Sequence, residues 1–219
     1  MDSCCGPRDS GGYDEIFDAR FSRAIARRYG RKGLRPAEQH IIRFLTGIGI
    51  KGASILEVGG GVGEIQLELL KRGAARAVNL ELSQGYEEDA ARLIEEAGFG
   101  GRIERHLGVD LAGEGDGVEP ADVVVLHRVV CCYPDYERLL SAAADHARSA
   151  LVFSHPPANL PARVFIRMMN GMLTAAGRSF RGYIHPPAAM LGILRNHGFE
   201  PVFRWRGPVW RIVGAVRRG

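Results

Sequence analysis

The sequence predicts an α/β protein: a mostly parallel, doubly wound sheet with helices on both faces and an antiparallel strand at its carboxyl end. Three observations predict it. Short apolar runs of strand length alternate with stretches of helical period between Ser54 and Ser154. The first run, Ser54-Ile55-Leu56-Glu57-Val58, leads into four glycines within five residues and then an amphipathic stretch, which reads as strand, tight loop and helix. The chain closes with two runs, 199–206 and 209–217, joined at Gly207-Pro208 like a strand pair.

The elements follow in order. Residues 13–28 read as a helix, with Tyr13, Phe17, Phe21, Ala24 and Ile25 on one face and Gly30 as its stop. Pro36 opens a second helix over 36–47. The strands are expected at 54–58, 77–82, 102–109, 122–126 and 150–154, and the helices between them at 64–72, 85–97 and 135–146. A loop rich in Gly, Asp and Glu spans 111–120. After His155-Pro156-Pro157 the alternation breaks. An additional helix is read over 161–176, a loop over 177–185 and a last helix over 187–196. This divides a single domain, 1–219, into a helical cap (13–47), a core (54–154), an insertion (155–185) and a closing helix with its strand pair (186–219).

Composition narrows the class. The 219 residues are 46% hydrophobic and 25% charged, enough for one soluble globular core. The net charge of +4 comes from arginines spread along the chain, not clustered with aromatics, so no nucleic-acid partner is expected. No run approaches the roughly 18 apolar residues of a membrane span, and no secretion signal follows Met1. The expectation is a cytoplasmic protein. Its four cysteines stand as Cys4-Cys5 and Cys131-Cys132, without zinc-site spacing. They read as free thiols, and no metal site is expected.

The glycine loop carries the chemistry. It stands as Glu57-x-Gly59-x-Gly61-x-Gly63, with Gly60 inside it, and lacks the G-x-G-x-x-G dinucleotide spacing. A carboxylate closing the strand would repel a pyrophosphate and suits a ligand with positive charge or hydroxyl and amino donors. Glu81 closes the second strand, where its carboxylate can accept from two ribose hydroxyls. Asp110 follows the third strand and His127 the fourth.

In these residues the chain resembles the class I S-adenosylmethionine (SAM) dependent methyltransferases. The resemblance implies a Rossmann-like, seven-stranded sheet with SAM as cofactor. Its implied cofactor contacts are Glu57, Gly59, Gly60, Gly61, Gly63, Glu81, Leu82, Asp110, Leu111, His127, Arg128 and, from the leading helix, Tyr29. The segment His127-Arg128-Val129-Val130-Cys131-Cys132-Tyr133-Pro134-Asp135-Tyr136 is similar to that of bacterial proteins related to magnesium-protoporphyrin O-methyltransferase. That group often has Asp where this chain has His127. The implied partner is a small lipophilic acceptor, and the implied reaction is its O-methylation.

Methyl transfer is an in-line displacement, so positioning and water exclusion supply most of the acceleration. A base is needed only if the acceptor loses a proton as it attacks. His127 is the first candidate for it and His155 the second; a carboxylate acceptor needs none. Phe165, Met168 and Met172 in the insertion are expected to line a lipophilic pocket, with Arg163, Arg167 or Arg178 pairing an anionic group. Two alternatives stay open. One is a SAM-binding protein without transfer activity, acting as a sensor or assembly partner. The other is a metalloid- or thiol-directed methyltransferase that uses the cysteine pairs.

Overall fold

The computed structural model describes residues 10–114 and 117–218. Helices α1 (Ser10–Asp14), α2 (Ala19–Lys32) and α3 (Pro36–Ile48) precede the sheet. Then come β1 (Ser54–Val58), α4 (Glu64–Lys71), β2 (Arg76–Glu81), α5 (Glu87–Glu96), β3 (Ile103–Leu107), the one-turn α6 (Leu111–Glu114), β4 (Ala121–Leu126), α7 (Tyr136–Asp145) and β5 (Ala147–His155). The chain ends with α8 (Leu160–Ala175), α9 (Pro187–Asn196), β6 (Phe199–Arg206) and β7 (Arg211–Arg217).

The strands form one seven-stranded sheet in the order β3-β2-β1-β4-β5-β7-β6. β1 pairs in parallel with β2 and β4, and β2–β3 and β4–β5 are parallel too. Only β7 runs against its neighbours, β5 and β6. This is the expected doubly wound, Rossmann-like sheet. Strand order reverses between β1 and β4, and ligands bind α/β sheets in the crevice outside such a switch point.

The central strands are mostly apolar because helices cover both faces. Ile55, Val123, Val125 and Val152 pack with Ile41, Leu45, Ile65 and Leu67 on one side. Leu56, Val124, Leu126, Leu151 and Phe153 pack with Leu139, Leu140, Met190 and Leu194 on the other. The period of two is the pleat of each strand.

Three local readings are corrected. The single helix over 13–28 is two helices. Asp18 caps α2 by accepting from the backbone N–H groups of Arg20 (3.0 Å) and Phe21 (2.8 Å), and this restarts the helix. Gly30 lies inside α2, and the stop is Gly33, at φ 66°. The loop over 111–120 begins with a helical turn, α6; residues 115 and 116 lie outside the described residues.

Helix α3 docks on β7 through one close approach. A Cβ on Gly214 would stand 2.4 Å from Cε1 of Phe44, so the ring lies flat on bare backbone. Gly214→Ala is therefore expected to destabilise the protein by about 1–3 kcal/mol, as an overpacked core does. Urea unfolding at unchanged m-value measures it, and a change under about 0.5 kcal/mol would show that α3 shifts freely.

Candidate active site

The crevice lies at the carboxyl ends of β1, β2 and β4 and encloses about 1110 Å³, including the part open to solvent. Its floor is the glycine loop. Gly59 and Gly61 have φ of 60° and 58°, in the left-handed region that glycine occupies freely. A Cβ on Gly60 would lie 2.2 Å from Asn79 Nδ2 and 2.8 Å from the Glu57 carboxyl carbon. Gly63 instead sits behind the wall as the N-cap of α4, at φ 84°.

Buried carboxylates hold the loop. Glu57 Oε2 accepts from the Gln66 backbone N–H at 3.2 Å, tying β1 to the first turn of α4. Burial, reinforced by nearby Glu64, pushes the Glu57 carboxyl well above the usual range. Glu81 accepts from the Gly61 N–H at 2.8 Å with one oxygen and from the Ser83 N–H at 3.0 Å with the other. Each oxygen keeps a lone pair for a ligand hydroxyl. Arg105 Nη2 donates to the Gly61 carbonyl (3.0 Å) and to Glu87 (2.6 Å), bracing the loop from β3.

Asp110 Oδ1 accepts from the Ala112 N–H (3.0 Å) and Oδ2 from the Tyr133 hydroxyl (2.8 Å), linking the β3 end to the segment after β4. Leu82 and Leu111 line the crevice beside it. Arg128 borders it too, and its φ of 65° makes it the only described non-glycine residue with positive φ. That conformation costs about 1–2 kcal/mol and is fixed by its N–H donating to Ser154 Oγ at 2.8 Å. Its guanidinium lies 5.7 Å from the Trp210 ring centroid.

An aromatic cap closes one side. Asp14 Oδ1 takes the Ser83 hydroxyl (2.6 Å) and the Gln84 N–H (3.0 Å), mooring the α1–α2 corner on the end of β2. Phe17 then meets Tyr86 (6.3 Å), Phe21 (5.6 Å) and Phe180 (5.4 Å) between ring centroids. Tyr13, Phe17, Phe21 and Ile25 all face the crevice. Tyr29 does not, which corrects its reading as a cofactor contact. Its hydroxyl donates to Glu68 at 2.8 Å and accepts from Lys71 at 3.1 Å, on α4.

His127 borders the crevice but is buried against α3, with Nε2 3.8 Å from Glu38 Oε1 and, among the described residues, no partner for Nδ1. Burial, with Arg128 and Arg35 near, lowers its pKa to about 3. A neutral imidazole that weakly basic is a poor proton acceptor at neutral pH, which argues against the general-base reading. His155 is not in the crevice; it lines a separate groove with Leu191 and Arg211. Glu64, passed over in the sequence as a helix start, does border the crevice. Burial and the Glu38 charge raise its pKa to about 7. The available signal was its place directly after the last glycine.

Cys131 and Cys132 border the crevice with sulfurs 3.6 Å apart, and both lie near the Arg128 carbonyl. The contact lowers the Cys131 pKa and raises that of Cys132. Cys4 and Cys5 lie outside the described residues. Among the described residues no three His, Cys, Asp or Glu groups are arranged to hold a metal.

A family profile described as "Methyltransferase domain" matches residues 26–202. The chain belongs to this methyltransferase family. The family binds S-adenosyl-L-methionine, so the chain is a SAM-dependent methyltransferase. No curated protein matches it. Among solved structures, the methyltransferase is similar to magnesium protoporphyrin IX methyltransferase from Synechocystis PCC 6803 with bound SAH. Identity is 21%, coverage 96% of this chain and 100% of that one, and the TM-score 0.74. The same protein with bound SAM gives 20% identity, full coverage of both chains and a TM-score of 0.71. An O-methyltransferase family protein from Burkholderia thailandensis is 18% identical, over 94% of this chain and 63% of that one, with a TM-score of 0.70. At these identities the likeness is one of fold. No described helix is long and apolar enough to cross a membrane.

Proposed function

We propose that this methyltransferase moves the methyl group of SAM to an oxygen of a small lipophilic acceptor, and that this oxygen arrives already ionised. The observation that carries the reading is the donor-seeking crevice at the β1–β4 switch point. Its lining presents Glu81 and Asp110 beside the glycine loop.

The residues fit the cofactor. Glu81 suits the ribose hydroxyls and Asp110 the adenine amino group. Glu64 and Arg128 are opposite charges beside one another, which suits the ammonium and carboxylate of an amino-acid tail. A pyrophosphate would meet these buried acids and be repelled. When bound, the cofactor supplies a methyl made electrophilic by its sulfonium.

The chain's own residues position and exclude. Tyr13, Phe17 and Phe21 keep water out and offer an apolar surface for the acceptor. His127 is held at a pKa of about 3, burial raises the hydroxyl pKa values of Tyr13, Tyr86 and Tyr133, and Glu64, at about 7, is taken up in this reading by the ammonium of the cofactor. An acceptor with an acidic oxygen needs no proton removed in the transfer step. Mildly basic overall charge favours such an anion.

Titration calorimetry tests the donor. SAM and SAH are expected to bind in roughly the micromolar range, with no heat from NAD. Tight NAD binding without SAM heat would sink the reading. Turnover of aromatic carboxylic acids against matched alcohols tests the acceptor class, and faster alcohol methylation would overturn the ionised-oxygen part.

A further inference from the structure

Helix α8 is apolar on two sides. Ala162, Ile166, Met169 and Leu173 form an inner, partly covered stripe. Asn170 moors it by bonding Gly182 in both directions, at 2.9 Å each. Leu160, Val164, Phe165, Met168 and Met172 form an outer stripe, between 49% and 74% exposed. No residue of α8 is buried, and none borders the crevice. The expected lipophilic pocket lined by Phe165, Met168 and Met172 is thereby corrected: these side chains face solvent. A second apolar face left uncovered by the rest of the fold marks an interaction site.

We propose that α8 seats this protein on an anionic membrane surface, lying in the interface with its outer stripe among the acyl chains. Charge selects that occupant. Between Asp145 and Glu200 the chain has six arginines and no acidic residue. Arg163 and Arg167 stand beside the outer stripe and make no ion pair among the described residues. Arg178 bonds the Glu15 carbonyl, and Arg181 the carbonyls of Arg178 (2.5 Å) and Phe180 (2.7 Å). The acid near them is Glu15, whose carboxylate lies 3.4 Å from the Ser179 N–H. An apolar stripe bordered by arginines is the composition of an interfacial helix. A second copy is disfavoured, since a twofold contact through α8 would bring both copies of Arg163 and Arg167 into one interface to which α8 contributes no acidic residue. The seat would also bring the crevice to where a lipophilic molecule concentrates, though the inference does not depend on methyl transfer.

Vesicle co-sedimentation of the full chain tests it. The protein is expected to pellet with vesicles of phosphatidylglycerol and phosphatidylcholine in equal parts and to stay in solution with phosphatidylcholine alone. Phe165→Asp with Met168→Asp and Met172→Asp is expected to abolish pelleting while SAH affinity is kept, because α8 is off the crevice wall. Arg163→Gln with Arg167→Gln should weaken it about 25-fold, from about 1 kcal/mol per arginine at such a surface. Phe165→Trp, which keeps the apolar surface, should shift its emission to the blue on addition of the anionic vesicles. Absence of pelleting and of any shift overturns the proposal, as does undiminished pelleting of the triple variant. A dimer in sedimentation equilibrium that the triple variant dissolves would also overturn it, by assigning the stripe to a second copy. None of these readouts is activity, so their failure leaves the methyl-transfer reading standing.

Discussion

Gly60→Ala is expected to abolish measurable SAH binding in a protein that still folds. The added methyl would sit 2.2 Å from Asn79 Nδ2 and within 3 Å of the Glu57 side chain, and both groups are buried. The loop must then move away from β1, taking with it the Gly61 N–H that Glu81 accepts. Glu81→Ala removes that brace and the ribose partner together. Charge-assisted bonds are worth about 1.5–3 kcal/mol each, so losing two lowers affinity by about two to four orders of magnitude. Glu81→Gln should recover part of the loss, because its amide oxygen still accepts one bond. Calorimetry with SAH and circular dichroism for the fold read both effects. Tight binding by Gly60→Ala would show that the ligand does not use this loop.

The sheet and the glycine loop were legible for physical reasons. Val123, Val124, Val125 and Leu126 form an unbroken apolar run because both faces of β4 are covered, and only a buried parallel strand asks for that. Glu81 and Asp110 could be placed on the crevice because Glu81 closes β2 and Asp110 follows β3 at the same carboxyl edge of the sheet. Tyr29 was misread because an aromatic in the leading helix says nothing of which way it faces. Eight residues beyond Phe21 it lies roughly 80° round the helix, enough to turn it onto Glu68. The two faces of α8 are equally apolar in sequence, so the outer stripe passed for a pocket wall. The state of His127 was hidden for a different reason: it is set first by burial and then by Arg128 and Arg35, the last of these brought from the N-cap of α3 by packing. A histidine's position in a motif fixes its place in the fold, whereas its basicity depends on burial and neighbours.

Glu64 and His127 should therefore exchange the roles that their residue types suggest. With a pKa of about 7 in the free protein, Glu64 is neutral below that pH and ionised above it. A cationic donor prefers the ionised form. SAM affinity is expected to weaken as pH falls below about 7, by up to about tenfold per pH unit, since one proton must leave on binding. Glu64→Gln should flatten that slope and weaken binding at pH 8. The same shift has a stability sign. The folded pKa lies above the ordinary carboxyl value of 4.5, so the folded state holds the proton more tightly than the unfolded chain. Stability thus falls as pH rises from about 4.5 to about 7 and is level above, by at most about 3 kcal/mol. Glu64→Gln is expected to unfold at a higher urea concentration than the parent at pH 8 and at nearly the same one at pH 4. His127→Ala, by contrast, should leave turnover at saturating SAM within a few-fold of the parent, where loss of a general base costs about 10²–10⁴-fold. If His127→Ala loses that much and Glu64→Gln leaves the pH slope intact, the imidazole is the base and Glu64 is a bystander.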